Sequence, residues 1–198
     1  MDDTVRAALA KWPNVPDVYG WLQLDLRGRY RIRSDGLAGD VRFAPIGNAA
    51  LAQFIGRNYL CDARGCWFFQ NGPQRVYVQL ALTPWVFRLD GDGAPVTHTG
   101  RAATHVEALM IDQQGTPILV TDVGTGALDD RDLGAMLDLL IDADGRTAAC
   151  KDVLSWMASP VDGALRFRFA HTHAPVTSVD RAELPAQAGF VPDPQAPI

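Results

Sequence analysis

The two halves of the sequence begin with the same local pattern, which strongly limits the folds open to it. Trp21–Gly28 and Ala108–Gly115 each alternate in hydrophobicity and end in an Asp-x-x-Gly motif. Alternation of this kind indicates a half-buried strand. Asp hydrogen-bonds to nearby backbone and Gly accepts a positive φ, so the motif is typical of a tight turn. Return strands follow at 29–32 and 116–119, and the pattern predicts one β-hairpin in each half.

Each hairpin is followed by a segment with helical spacing. Asn48–Tyr59 has Asn48 as a natural N-cap, and Asp129–Leu140 has early acids that suit the positive end of a helix dipole. Each helix then meets another turn motif, Asp62–Gly65 or Asp142–Gly145. Four matching elements in the same order predict an internal duplication, with chance recurrence of short patterns as the alternative.

The halves differ after these turns. The first continues directly into strands at 67–70, 75–80 and 85–89. The second inserts a helix at 148–157, stopped by Pro160, before strands at 165–169 and 176–179. The predicted fold class is therefore α+β, built from internally duplicated β-hairpin–helix–antiparallel sheet units. The predicted domains are 1–93, a first repeat with an N-terminal helix, and 94–184, a second repeat with the inserted helix. A Pro-rich tail at 185–198 is expected to be extended or partly ordered.

The order of hairpin, helix and then the segment Cys66–Val78 resembles uncharacterised proteobacterial domain-of-unknown-function families. One such family has a duplicated core whose C-terminal half looks superficially like a pleckstrin-homology fold. The resemblance implies a pleckstrin-homology-like second half, from which the inserted helix around Leu154 departs. These families have no established activity, so the resemblance gives no residue a catalytic role.

Composition narrows the classes of function. The chain of 198 residues has 18 basic and 23 acidic residues, a net charge of -5, which argues against a nucleic-acid partner. No apolar run approaches the roughly 20 residues that cross a bilayer. The acidic N-terminus is unlike a signal peptide, and an odd number of cysteines, three, favours a reducing, cytoplasmic setting. We expect a cytoplasmic protein without a membrane span.

The segment from Trp67 to Trp85 is the densest in groups that bind ligands. It surrounds a Gly72-Pro73 turn with amides, aromatic rings and Arg75, which can hold a carboxylate or phosphate bidentately. A hairpin turn with aromatic sheet core is the alternative interpretation. The candidate ligand-binding residues are Trp67, Gln70, Asn71, Gln74, Arg75, Tyr77, Trp85 and His98.

Other segments give weaker signals. His171 and His173 would share one face of a strand, although a solvated strand end is favoured over half of a metal site. Cys61 and Cys66 lack the C-x-x-C spacing of redox and zinc motifs. Val123–Ala127 resembles a phosphate cradle, but it lacks the full motif and is interpreted as a loop. No metal or cofactor is predicted.

The leading hypothesis is a non-enzymatic binding or regulatory module with a groove between its two halves, taking a small molecule or a protein. The first alternative is an enzyme of unfamiliar type that uses His98, His171 or His173 with carboxylates or a metal, with His105 as a further histidine that folding could bring near. The second alternative is a structural protein whose exposed edge strands pair into a homodimer.

Overall fold

The computed structural model describes residues 1–35 and 41–197 and contains both helices and two mixed β-sheets. The chain forms two compact units. Unit 1 comprises Met1–Pro84 with Gly189–Ile198, and unit 2 comprises Trp85–Ala188. The units divide at residues 84 and 85, before the predicted boundary at 93. Within the described residues, every helix is too short or too polar to traverse a bilayer.

Unit 1 has a six-stranded sheet in the order β3-β2-β1-β6-β5-β4. Strands β1 and β6 are parallel, and all other neighbours are antiparallel. Helix α2 covers one face, where the rings of Phe54 and Phe69 lie 5.4 Å apart. The elements are α1 (Asp3–Lys11), β1 (Val18–Leu24), β2 (Tyr30–Asp35), β3 (Val41–Pro45), α2 (Ala49–Arg57), β4 (Tyr59–Cys61), β5 (Trp67–Asn71) and β6 (Gln74–Leu80).

Unit 2 has an eight-stranded sheet in the order β12-β13-β14-β9-β10-β11-β7-β8. Strands β14 and β9 are parallel, as are β11 and β7. The elements are β7 (Trp85–Leu89), β8 (Pro95–Thr97), β9 (Val106–Asp112), β10 (Pro117–Thr121), β11 (Gly124–Leu128), a 3-10 turn (Asp130–Asp132), α3 (Leu133–Asp138), β12 (Leu140–Ile141), α4 (Cys150–Ala158), β13 (Arg166–Phe169), β14 (Thr172–Val179) and α5 (Leu184–Ala188).

The two helical segments predicted after the hairpins begin at polar side chains. The Asn48 side chain accepts the backbone N–H of Leu51 at 3.1 Å at the start of α2. The second predicted helix is split, because a 3-10 turn precedes α3. Asp129 caps that turn by accepting the N–H of Arg131, and the Asp132 carboxylate accepts the N–H of Leu89 at 2.9 Å. The acidic side chains at 129–132 therefore connect the start of the helix to β7, and they also lie at the positive end of the helix dipole.

Five Asp-x-x-Gly turns share one geometry. The aspartate Oδ1 accepts the backbone N–H groups two and four residues later at 2.8–3.0 Å. The glycine has a φ of 72–81°, a region that side chains other than Gly rarely adopt. In a turn of this form the glycine adopts the left-handed backbone conformation, and the turn fixes the register of the hairpin that it closes. The turns begin at Asp25, Asp62, Asp90, Asp112 and Asp142.

The C-terminal segment, predicted as an extended tail at 185–198, begins within α5 and then returns to unit 1. The N–H of Val191 donates to the Gly65 carbonyl at 3.0 Å, and the N–H of Leu80 donates to the Pro192 carbonyl at 2.8 Å. The Gln79 side chain donates to the Asp193 carboxylate at 2.7 Å. These residues therefore pack against the Asp62 turn and the end of β6.

The interpretation of Val123–Ala127 as a loop is wrong, because most of this segment forms β11. It pairs antiparallel with β10 and parallel with β7. Glycines permit this close approach to aromatic residues. A Cβ atom at Gly126 would lie 2.7 Å from the Trp85 carbonyl oxygen and 2.7 Å from the Phe87 ring. The Gly-x-Gly pattern therefore makes room for neighbouring β7.

Replacing Gly126 with Ala tests this packing. We expect Gly126→Ala to lower the free energy of unfolding by about 1–3 kcal/mol, because the new Cβ forces a backbone shift in a buried strand. Gly134→Ala is the matched control, since Gly134 sits in α3 and, apart from its own helix backbone and chain neighbours, no described atom lies within 4 Å of its added Cβ. The control should be neutral or stabilising by up to about 1 kcal/mol. Equal urea midpoints for the two variants would contradict this account.

Candidate functional site

The β5–β6 hairpin carries most of the predicted ligand-binding residues, but its amides serve the fold. Gln70 is 1% exposed, and its Nε2 donates to the Gly72 carbonyl at 2.9 Å inside the turn. Gln74 donates to the Pro16 carbonyl at 3.0 Å, and Asn71 is exposed beside the turn. Gln70 and Gln74 are thus hydrogen-bonded within unit 1.

Arg75 and Tyr77 share one face of the sheet with Phe68. Tyr77 pairs directly with Phe68 across the strands and is 1% exposed. The Arg75 guanidinium lies 4.8 Å from the centre of the Phe68 ring. Trp67 is on the opposite face, since successive side chains of a strand alternate, and its ring lies 4.8 Å from Tyr59. The structure brings Arg75 and Tyr77 together and separates Trp67 from them.

The Asp62 turn adds two residues that the sequence reasoning did not select. The Tyr77 hydroxyl donates to Asp62 Oδ2 at 3.0 Å and accepts from Arg64 Nη2 at 3.0 Å. Arg64 also donates to Asp62 Oδ2 through Nε and Nη2, at 3.0 and 2.9 Å. The available signal was Arg64 inside a turn whose aspartate is fixed by backbone N–H groups. The turn therefore orients a guanidinium beside Tyr77.

Tyr19 completes this group from β1. Its ring stacks on Tyr77 with centroids 4.5 Å apart and planes 4° from parallel. The register of β1 shifts between Val18 and Leu22, where Gly20 has a φ of 72°. The Tyr19 hydroxyl is buried without a hydrogen bond of standard geometry in the described chain. The Tyr19 hydroxyl is nevertheless close enough to the Arg64 guanidinium to make the largest contribution to the raised pKa of Arg64.

We call this group the Arg64–Arg75 cluster; its members are Tyr19, Asp62, Arg64, Phe68, Arg75 and Tyr77. Burial raises the pKa of Tyr77 to about 12, and Arg75 offsets part of that rise, so the phenol is neutral at pH 7. Burial alone would raise the pKa of Asp62, but hydrogen bonds from the Cys66 backbone, Arg64 and Tyr77 lower it overall. The cluster thus holds one carboxylate and two guanidinium cations.

Arg75 supplies the surplus positive charge. Arg64 forms an ion pair with Asp62, and its side chain is still 46% exposed. Within residues 1–35 and 41–197, Arg75 forms no ion pair and stacks on Phe68 instead. A supported, partly exposed guanidinium without a carboxylate partner in the described chain is suited to two oxygens of a carboxylate or phosphate.

Trp85 and His98, the other two predicted site residues, belong to unit 2. Their rings lie 5.7 Å apart, and His98 Nδ1 accepts the N–H of Val86 at 3.3 Å. Burial lowers the pKa of His98 to about 3. A base with so low a pKa is poorly matched to proton transfer at neutral pH. The groove predicted between the two halves stays a prediction.

The remaining histidines and the cysteines do not assemble a site. His105, His171 and His173 are exposed, and His171 lies in the β13–β14 turn, so its predicted place on a strand is wrong. Cys61, Cys66 and Cys150 are free thiols. The part of the chain that the structure describes contains no group of three or more His, Cys, Asp or Glu residues placed to hold a metal ion.

The His98 environment predicts a pH-dependent stability. Its pKa is about 3 in the folded chain and about 6.5 in an unfolded one, so the unfolded state binds more protons between these values. Stability should therefore fall as the pH drops below about 6.5, with a slope of up to about 1.4 kcal/mol per pH unit.

His98→Asn isolates this effect, because the Asn oxygen can still accept the Val86 N–H while the titrating ring is removed. The difference in unfolding free energy between the parent protein and His98→Asn should shrink from pH 7 to pH 4.5. The other three histidines are common to both proteins. A difference that stays constant across this range would show that burial does not suppress His98 protonation.

Comparison with known proteins gives a family but no activity. No curated protein matches the chain. A solved structure, that of a DUF1285 family protein from Silicibacter pomeroyi DSS-3, is similar at 16% sequence identity with a TM-score of 0.45. The match covers 67% of this chain and 76% of that chain.

A family model matches almost the whole chain. It spans residues 1–195 and carries the description "DUF2944: Protein of unknown function (DUF2946)". The match includes the hairpins, both units and most of the C-terminal segment, which agrees with the expectation of an uncharacterised family. The chain therefore belongs to this family of proteins of unknown function.

Proposed function

We propose that the protein is a non-enzymatic binding module whose Arg64–Arg75 cluster takes an oxyanion, either a carboxylate or a phosphate. One observation carries the proposal: the cluster contains two guanidinium groups and one carboxylate, and Arg75 is held on an aromatic ring without an ion pair in the described chain. This local charge is opposite in sign to the net charge of -5 for the whole chain.

The cluster is organised before any ligand arrives. Asp62 and the Tyr77 hydroxyl hold Arg64, and Phe68 supports the plane of Arg75. Fixing donors in advance lowers the entropy that binding costs. A guanidinium presents parallel N–H groups that match the two oxygens of a carboxylate or phosphate. The oxyanion would therefore receive hydrogen bonds from Arg75 and from the exposed side of Arg64.

Asp62 sets a limit on the affinity. Its carboxylate already accepts from Arg64 at 2.9 Å and would lie near the bound anion. Like charges at short range oppose binding. Its role in the proposal is to orient Arg64, while Arg75 provides the net attraction.

We also propose that the two units arose by internal duplication. The order β3-β2-β1-β6-β5-β4 of unit 1 corresponds to β11-β10-β9-β14-β13-β12 of unit 2, with the same parallel pair at the centre. In both units a helix comes directly before the corresponding edge strand: α2 before β4, and α3 before β12. This shared connectivity supports duplication more strongly than the short sequence patterns do. The pleckstrin-homology-like character of the second half stays a prediction.

The proposed site would belong to one copy. The pairings of Gln70 with Arg75 and of Phe169 with Thr172 make Thr172 the counterpart of Arg75. By the same register Ala174 corresponds to Tyr77, and the turn position of Arg64 is occupied by Asp144. Unit 2 has neither guanidinium, so duplication would have supplied a scaffold on which only unit 1 acquired the oxyanion site.

Titration with inorganic phosphate and with succinate tests the proposed function. We expect saturable binding in calorimetry or NMR, and a loss of about tenfold or more in affinity for Arg75→Gln, since hydrogen bonds to charged groups contribute about 1.5–3 kcal/mol. Arg64→Gln should also weaken binding, because it removes a donor and leaves the Asp62 carboxylate uncompensated beside the anion. Arg29→Gln is the control, as Arg29 is 57% exposed and pairs with Asp25 in an equivalent turn.

The controls decide the interpretation. The parent protein and Arg29→Gln should bind alike, and binding should weaken with added salt. Equal affinities for the parent protein and Arg75→Gln would place any bound anion elsewhere. No saturable binding of either probe by the parent protein would contradict the proposed function itself.

A further inference from the structure

Helix α4, which has no counterpart in unit 1, packs beside β9 and leaves two cavities next to it. One has a volume of 240 Å³ and the other 330 Å³. Both are lined by Ile111 of β9 and Met157 of α4, so the two cavities adjoin at these side chains. Ligand sites for small molecules usually enclose about 300–1,000 Å³. We call the pair of cavities the α4 cleft.

The smaller cavity is the apolar end of the α4 cleft. Leu133, Met136 and Leu137 of α3 line it from one side, and Val153 and Leu154 of α4 from the other. Val153 points inward and is 5% exposed, whereas Leu154 is 65% exposed. Helix α4 thus has apolar side chains on two sides. Val153 packs into the core, and Leu154 lies at the exposed rim of this cavity. An aliphatic chain placed here would bury surface that now faces water.

The larger cavity has both polar and apolar lining residues, and its charged lining residues are acidic. Asp112, Gln113 and Asp180 line it with Trp156, and no Lys, Arg or His side chain is among its lining residues. Arg181 neutralises Asp112, which it contacts through Nε at 2.7 Å. Asp180 is exposed, and among residues 1–35 and 41–197 its hydrogen-bond partners, the Ala182 N–H and the Gln113 side chain, both engage Oδ1. Within that part of the chain, Oδ2 is the carboxylate oxygen left for a ligand.

Trp156 adds an aromatic wall beside that carboxylate. The side chain is 5% exposed, and its indole N–H donates to the Val161 carbonyl at 3.0 Å. The N–H is therefore occupied, and a ligand in the larger cavity would meet the carbon atoms of the indole ring. Tryptophan is the preferred aromatic partner of organic cations. A carboxylate and an indole ring at one end are complementary to an ammonium head group.

We propose that the α4 cleft binds an aliphatic ammonium compound, with its cationic head between Trp156 and Asp180 and its chain along Leu137 and Leu154. Met157 stands between the two ends. A Cβ atom at Gly115 would lie 3.1 Å from the Met157 methyl group, so the glycine leaves room for this unbranched side chain to shift. The site is independent of the oxyanion site of unit 1.

Calorimetric titration with n-octyltrimethylammonium, below its self-association concentration, tests the inference. Octanoate has a similar chain with the opposite charge, and tetramethylammonium has the head without the chain. We expect saturable binding of n-octyltrimethylammonium at least tenfold tighter than that of either comparator. Octanoate binding as tightly would show that charge does not select the ligand, and equal binding of tetramethylammonium would show that the apolar end is unused.

Two variants assign the ends of the site. Asp180→Asn keeps an oxygen for the Ala182 N–H and should weaken the binding of n-octyltrimethylammonium about threefold to tenfold. Asp138 is an exposed acid on α3, and Asp138→Asn should leave the binding unchanged. Leu154→Gln should weaken the same binding about threefold. Leu51 lies on α2 and is 42% exposed, and Leu51→Gln should not change the affinity. Equal effects in test and control variants would indicate nonspecific surfactant binding and overturn the proposal.

Discussion

An aspartate that accepts two backbone N–H groups, followed by a glycine with positive φ, sets the geometry on which this chain depends. The motif closes turns after β1, β4, β7, β9 and β12, always with the same spacing of donors. Because a one-residue slip would move every side chain to the other face of a strand, fixing the turn also fixes the faces of the sheet. The positions of Phe68 and Tyr77 follow from that register.

A second constraint acts over a long range. The first strand of each hairpin core, β1 or β9, pairs in parallel with the last strand, β6 or β14. This pairing places Tyr19 against Tyr77, although 57 residues separate them in the sequence. In unit 2 the corresponding strands carry Ala174 where unit 1 has Tyr77, and α4 is inserted instead. The two proposed sites thus lie where the units differ most.

The features that could be predicted from the sequence are those that neighbouring residues determine. Turns, the Asn48 cap, the inserted helix and most strands followed from residue spacing, and Arg75 and Tyr77 were selected from one segment. The parallel pairing could not be predicted, because its partners are distant and their hydrogen bonds involve only backbone. Arg64 was missed since its importance comes from the Tyr77 hydroxyl, which only the folded chain places beside it. Strand β11 was missed because two glycines that suit a loop instead accommodate the Trp85 and Phe87 side chains. The role of Gln70 could not be decided from the sequence, because an amide in a turn can serve either a ligand or its own backbone; in the structure it donates to the Gly72 carbonyl.

The central claim is that the Arg64–Arg75 cluster is an oxyanion site whose net attraction comes from Arg75, which has no ion pair among residues 1–35 and 41–197. The most direct measurement is NMR of the arginine Nε–Hε groups during titration with inorganic phosphate, with assignments from single Arg→Gln variants. The account predicts that the Arg75 signal shifts most and saturates, and that Arg64 follows with the same dissociation constant while Arg29 and Arg146 stay unchanged. Shifts of similar size across all arginines, or none at Arg75, would contradict it.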